Sequence, residues 1–165
     1  MRAAWGFSRG GAPTVIEGVK IRQLKVNPDV RGRLMELMRP DWEEFEKFGQ
    51  VYMTTAYPGV VKAWHYHKLQ RDNFTCVKGM IRLALYDGRE GSSTYGQVEE
   101  FYIGEHSPIM VSIPPEVAHG FQCVSDTEAV VINCPTETYD YENPDEFRLD
   151  PHDNNIPFDW HRRDG

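Results

Sequence analysis

Short runs of strand character, each closed by a turn signal, recur along almost the whole chain, and this rhythm limits the possible fold most strongly. "VKIRQLKV", "GQVYMTTAY", "VVKAWHYH", "NFTCVKG", "MIRLALYDGR", "EEFYIG", "IMVSIPP", "GFQCVS" and "EAVVINC" follow one another along the chain. In "MIRLALYDGR" the alternation sets Ile81, Leu83 and Leu85 on one face and Arg82 and Tyr86 on the other. One segment departs from this pattern. "PDWEEFEKFG" predicts a short helix, with Asp41 as N-cap, Glu44 completing a capping box, a stripe of Trp42, Phe45 and Phe48, and Gly49 as the stop. Many short strands and one short helix predict an antiparallel β-sandwich or barrel, whose interior can host a small-molecule site.

At 165 residues the chain is long enough for one domain with a real core. Residues 14–160 are expected to form it, with 1–13 and 161–165 as loose ends. The net charge of −7 argues against a nucleic-acid surface, although a few local cations would suffice for one nucleotide-sized anion. No apolar run approaches a membrane span, and "MRAAWGFSRGGAP" lacks the apolar stretch of a secretion signal. The three cysteines, Cys76, Cys123 and Cys134, show no CxxC spacing and sit in apolar runs. They read as buried thiols in a reducing cytoplasm.

The segment "GVVKAWHYHKLQRDNFTCVKG" carries the chemistry. His65 and His67 stand two apart in a strand, so both imidazoles point to one face, while Trp64 and Tyr66 point to the other. Asp72 follows after a polar turn, and His119 stands in "PPEVAHGF". The pattern resembles metal-binding cupins, small jelly-roll barrels in which an HxH pair, a carboxylate and a later histidine hold the ion. By that resemblance His65, His67, Asp72 and His119 would hold a divalent metal such as Zn, Fe, Mn or Ni. Asp72 stands where a glutamate is commoner, and Glu116 where glycine is usual. The alternative is that these side chains line a polar barrel interior and hydrogen-bond to one another.

Several separated blocks, in order, resemble a particular cupin family, the dTDP-4-dehydrorhamnose 3,5-epimerases. "DVRGRLMEL" is similar to the family's DxRGxxxE block, giving Asp29, Arg31, Gly32 and Glu36. "VKAWHYH" supplies Lys62 three residues before His65, the position of the family's catalytic histidine. "REGSSTYG" resembles its RxxSPT[FY]G loop, "IPPEVAHGF" its IPPGxAHGF block with His119, and "DNNIPFDW" its closing DPxIxIxW segment with Asp153. The resemblance implies a cupin jelly roll, no metal or organic cofactor, a nucleotide-sugar substrate and a homodimer in which Arg31 reaches across the interface.

The implied chemistry is proton transfer beside a ketone. In a 4-keto sugar the protons on C3 and C5 are acidified by the carbonyl between them, so a base can remove one and leave an enolate. The resemblance makes His65 that base, with Asp153 orienting it. Lys62 or His119 would stabilise the enolate oxygen, and Arg31 with Lys62 would take the diphosphate. Glu36, His67, Asp72 and Phe121 complete the expected substrate-binding set. Two positions depart from the family. Ile132, in "INCPT", stands where the family has the tyrosine that returns the proton, leaving Tyr141 or Tyr139 as the nearest substitutes. Asp72 replaces a lysine. "WHYHK" is also similar to the HAHK block of the dTDP-sugar 3,4-ketoisomerases, an alternative that shares the proton-abstraction step.

Overall fold

The computed structural model describes residues 16–161, and these form β-strands joined by turns and loops, with no helix among them. The segment 1–13 and residues 162–165 of the tail lie outside the described residues. In chain order the strands are β1 (Lys20–Gln23), β2 (Val26–Asp29), β3 (Gly32–Met35), β4 (Tyr52–Ala56), β5 (Val61–Tyr66) and β6 (Asp72–Lys78). They continue as β7 (Met80–Asp87), β8 (Val98–Gly104), β9 (Ile109–Ile113), β10 (Val117–Cys123), β11 (Ala129–Asn133) and β12 (Phe147–Arg148). One sheet runs β1-β9-β6-β11-β4, a second β12-β5-β10-β7-β8, and β2-β3 form a separate hairpin. Every pairing is antiparallel. This is the antiparallel β architecture that the alternating short runs predicted, in the jelly-roll form that the cupin resemblance implied.

The alternation decides what lies between the sheets. Ile81, Leu83 and Leu85 of β7 meet Phe74 and Cys76 of β6, Val111 and Ile113 of β9, and Val131 of β11 in the apolar interior. The opposite face of the second sheet carries its own cluster. There Trp64, Ala84 and Ala118 are covered by Ile156, Phe158 and Trp160 of the C-terminal segment. Trp64 and Trp160 ring centroids are 5.0 Å apart. Buried Arg82 locks that segment down, pairing with Glu100 at 2.8 Å and donating to the Asp159 carbonyl at 3.0 Å. Its guanidinium also lies 4.4 Å from the Phe158 ring centroid.

The predicted helix does not form. Residues 40–44 make only turns, closed by Trp42 N–H on the Arg39 carbonyl and Phe45 N–H on the Trp42 carbonyl. The side chains chosen as caps are engaged elsewhere: Asp41 pairs with Arg39, and Glu44 with Arg22 at 2.7 Å. Arg22 also sits 4.4 Å over the Trp42 ring. A run this short gains little from helical hydrogen bonds alone, so these cross-chain pairs decide its shape. Cys76 and Cys123 are buried thiols as expected, and Cys134 is half-buried.

Two details of backbone geometry bring the strands of the site together. A side chain at Gly120 would place its Cβ 2.2 Å from the Ala63 Cβ, so only glycine lets β10 and β5 approach there. Glu116, which stands where cupins usually have glycine, takes a φ of 65° in the left-handed region. Its N–H donates to the His67 carbonyl at 2.6 Å, tying the turn before β10 to the end of β5.

The "REGSSTYG" loop is built around a carboxylate. Asp87, at the end of β7, has no exposed surface. It accepts from Arg89 Nε and Nη2 at 2.8 Å each, and from the Ser92 and Thr94 hydroxyls at 2.6 Å each. Burial alone would raise the Asp87 carboxyl, but Arg89, Ser92 and Thr94 outweigh it and hold the group well below its usual range. A depressed folded-state pKa stabilises the protein above the unfolded value near 3.8, and that contribution is lost as pH falls below it. Asp87→Ala should leave the Arg89 charge without its partner and cost roughly 2–4 kcal/mol. Thermal denaturation at neutral pH should show a melting temperature lower by roughly 5–10 °C; an unchanged value would mean the loop does not depend on this carboxylate.

Candidate active site

The inward faces of both sheets turn polar at one end of the barrel. β5 presents His65 and, just past its end, His67, with Trp64 and Tyr66 on the other face as the alternation predicted. In the β10–β5 register His119 lies directly opposite His65, and their ring centroids are 4.1 Å apart. Asp72 opens β6 and points between the histidines. One ligand-capable atom from each of His65, His67, Asp72 and His119 lies within 4.8 Å of the others.

Asp72 is the centre of this group. It is 1% exposed, and its Oδ2 lies 3.0 Å from His119 Nε2 and 3.2 Å from His67 Nε2. Its Oδ1 accepts from Gln70 Nε2 at 2.9 Å and Asn133 Nδ2 at 2.8 Å. The outer nitrogens of the two histidines face backbone carbonyls: His119 Nδ1 that of Val117 at 3.0 Å, and His67 Nδ1 that of Asp145. Asp145 also fixes the preceding turn, its carboxylate accepting from the N–H groups of Lys68, Leu69 and Gln70. Asp145 therefore buttresses the site from behind.

Charge follows from this packing. Burial alone would raise the Asp72 carboxyl, but His119 and His67 outweigh it and keep it ionised far below the ordinary range. Burial works against protonation of His67 too, yet Asp72 prevails and raises it. His65 goes the other way: burial first, then the neighbouring His119, push it well below its usual value. The cluster thus holds a neutral imidazole at His65 next to a carboxylate.

His65 opens into a pocket of about 430 Å³. Tyr52 and Thr54 of β4 form one wall, and Lys62 and His65 of β5 form the other. Phe74 and Phe121 line it further in, and Glu146 and Arg148 come from the segment that forms β12. Lys62 Nζ donates to Thr54 Oγ1 at 3.0 Å. Tyr52 is held by Asn133, whose Nδ2 donates to the phenol oxygen at 2.9 Å. Burial first, then the Asp72 charge, push the Tyr52 hydroxyl up to about 12.

The expected residues therefore divide into three groups. Lys62, His65 and Phe121 line the pocket. His67, Asp72 and His119 are buried behind His65 and do not line the pocket, so His67 and Asp72 are not brought to it as the expected substrate contacts. Arg31, Glu36, Asp153 and Tyr141 are not brought to the pocket. Arg31 is exposed on the β2–β3 hairpin beside Asp29, and Glu36 is exposed and pairs with Arg39. Asp153 does not orient His65. It is exposed, and its segment continues into the chain that packs on the Trp64 face of the second sheet, with the sheet between that face and His65. Tyr141 is 89% exposed and makes an edge contact with Tyr139.

Sequence reasoning missed Tyr52, Asn133, Asp145, Glu146 and Arg148. The alternation of "GQVYMTTAY" was the available signal for Tyr52. Pairing of Tyr52 with Asn133, and the burial of every second residue on β11, set both side chains inward, while Ile132 lies on the other face.

Comparison with known proteins agrees with this architecture. The sequence profile of the family described as dTDP-4-dehydrorhamnose 3,5-epimerase matches residues 13–164. The chain is 46% identical over 147 residues to the probable low-salt glycan biosynthesis epimerase Agl13 of Haloferax volcanii, covering 88% of this chain and 94% of that one. It is 40% identical over 146 residues to the spore coat polysaccharide biosynthesis protein SpsL of Bacillus subtilis, covering 88% and 97%. The crystal structure of a dTDP sugar isomerase from Desulfovibrio desulfuricans superposes with a TM-score of 0.87 at 32% identity, over 93% of this chain and 98% of that one. With its profile matched across nearly the whole length and a cupin barrel to carry it, the chain belongs to the dTDP-4-dehydrorhamnose 3,5-epimerase family of carbohydrate epimerases.

Proposed function

We propose that the protein epimerises a nucleoside-diphospho-4-keto-6-deoxyhexose at a carbon beside the ketone, with His65 as the base and no cofactor. One observation carries this reading: a neutral imidazole, backed by a buried carboxylate cluster, opens into a pocket that also holds Lys62 and Arg148. His65 takes the proton from C3 or C5, and the bonding electrons move onto the C4 oxygen. Lys62 donates to that oxygen as charge develops on it. The imidazolium formed at His65 is stabilised by the Asp72 charge behind His119. Lys62 and Arg148 supply cations for the diphosphate. The names of Agl13 and SpsL support a role in making a deoxysugar donor for a glycan or polysaccharide.

Incubation with dTDP-4-keto-6-deoxyglucose in deuterated water separates the related chemistries. Label at both C3 and C5 is the expected result, label at C3 alone would mark a 3-epimerase, and a 3-keto product would mark a ketoisomerase. His65→Asn should lower label incorporation by roughly 10²–10⁴-fold. Undiminished exchange in that variant would overturn the assignment of the base.

The active unit in this reading is a homodimer. The β2–β3 hairpin stands apart from both sheets, with Val30 and Leu34 exposed and Arg31 near its tip. The outward face of β4 exposes Met53, and Val51 just before the strand is exposed as well. Sedimentation should show a dimer. Arg31→Ala should raise KM for the nucleotide sugar roughly tenfold, as loss of one charge-assisted contact implies, with kcat nearly unchanged. A fully active monomer would refute this arrangement.

A second reading rests on a different observation. Although His67 Nε2 and His119 Nε2 lie close to Asp72 Oδ2, neither contact is aligned as a hydrogen bond. With both Nδ1 atoms against carbonyls, the two Nε2 lone pairs of neutral rings converge on one carboxylate oxygen. That donor set fits a divalent cation held by His67, Asp72 and His119, with His65 within reach, and such a cation would supply Lewis acidity. The cofactor-free reading stands first because these three residues lie behind His65 and do not line the pocket. Elemental analysis decides it: stoichiometric Zn, Fe, Mn or Ni, lost in His67→Ala, would establish the metal reading. Metal-free protein with full activity would eliminate it.

A further inference from the structure

We propose that Tyr52 is the catalytic acid that returns the proton to the sugar from the side opposite His65. The inference rests on the epimerase reading above and adds the half of the reaction which that reading leaves unassigned. Inversion needs a base on one face of the carbon and a proton donor on the other. The position at which the family resemblance implies a tyrosine holds Ile132, whose side chain lies on the face of β11 away from the barrel interior.

The geometry offers one replacement. Tyr52 and His65 line the same pocket from different sheets, Tyr52 on β4 and His65 on β5. Tyr52 points inward because it pairs directly with Asn133, the buried residue next to Ile132 on β11. Asn133 Nδ2 donates to the phenol oxygen while also bonding Asp72 Oδ1. The amide thus fixes the ring from behind and occupies an acceptor site of the hydroxyl. The hydroxyl's own hydrogen has no acceptor among the described residues and is free to point into the pocket. Tyr139 and Tyr141, the substitutes suggested by sequence, make an edge pair outside the pocket lining. The raised Tyr52 hydroxyl keeps its proton throughout the neutral range, as an acid must before it acts.

The step balances. His65 breaks the C–H bond and holds the proton while the electron pair becomes the enolate. The enolate then forms a new C–H bond with the Tyr52 proton on the other face, and the ketone is restored. The phenolate left behind recovers a proton from water in the pocket, and the His65 imidazolium releases its own to water. No oxidant or reductant is required.

Tyr52→Phe keeps the ring and removes only the hydroxyl, so two readouts on one sample separate the two faces. Deuterium exchange into the sugar at C3 or C5 reports His65, and product configuration by NMR reports the returned proton. The variant is expected to retain exchange within about threefold of the parent protein while inversion falls roughly 10²–10⁴-fold. Tyr141→Phe is expected to invert at the parental rate. Parental inversion in Tyr52→Phe would overturn the proposal. So would equal loss of exchange and inversion with an unchanged melting temperature, which would make the hydroxyl a support for His65. Absence of exchange in the parent protein would instead remove the epimerase reading itself, and this proposal with it.

Discussion

A single buried carboxylate organises the polar end of the barrel. Asp72 comes out of water almost completely, and an ion in that position costs several kcal/mol unless its lone pairs are met. Gln70 beside it and Asn133 from β11 meet Oδ1 with hydrogen bonds, while His119 from β10 and His67 from the end of β5 bring their Nε2 atoms close to Oδ2. Each partner is fixed in turn, His119 by the Val117 carbonyl and His67 by that of Asp145. Placing the carboxylate therefore places the rings. The pocket-facing imidazole of His65 packs against His119, whose position is already determined.

The boundary between apolar and polar layers sets the electrostatics of the pocket. Leu85 and Phe74 close the interior on one side, and Phe74 and Phe121 carry an apolar surface into the pocket. A low-dielectric wall keeps His65 neutral and strengthens the field of buried Asp72. The close β5–β10 approach at Gly120, and the strained backbone of Glu116, are devices of the same end of the barrel. Both bring strands close enough for His65 and His119 to stand directly opposite each other.

Much of this was legible in the sequence, for physical reasons. A period of two in side-chain direction is a property of extended chain, so the strand runs, the inward HxH pair and the outward Trp64 and Tyr66 could be read locally. Lys62 and His65 reach the pocket from the same strand. What local pattern cannot supply is which distant groups meet. Glu44 and Asp41 look like helix caps until Arg22 and Arg39 claim them. Asp153 looks like a partner for His65 until Phe158 and Trp160 draw its segment to the other face of the sheet. Tyr52 gains its meaning from Asn133, which lies far along the chain and beside it only through β4–β11 pairing. The function of Asp145 depends on the 68–70 turn it caps. Resemblance located the family correctly, while the late aspartate it pointed to, Asp153, is exposed and the buried carboxylate near the histidines is Asp72.

In the proposed reaction the sugar ring lies between His65 and the opposite wall of this pocket, its reacting carbon against the imidazole. A crystal structure of the His65→Asn variant with dTDP-4-keto-6-deoxyglucose bound tests it most directly. C3 or C5 should lie about 3–4 Å from the side chain at position 65, with the C4 oxygen near Lys62 and the diphosphate toward Arg148. A sugar seated outside the pocket, or turned so that neither carbon faces position 65, would contradict it.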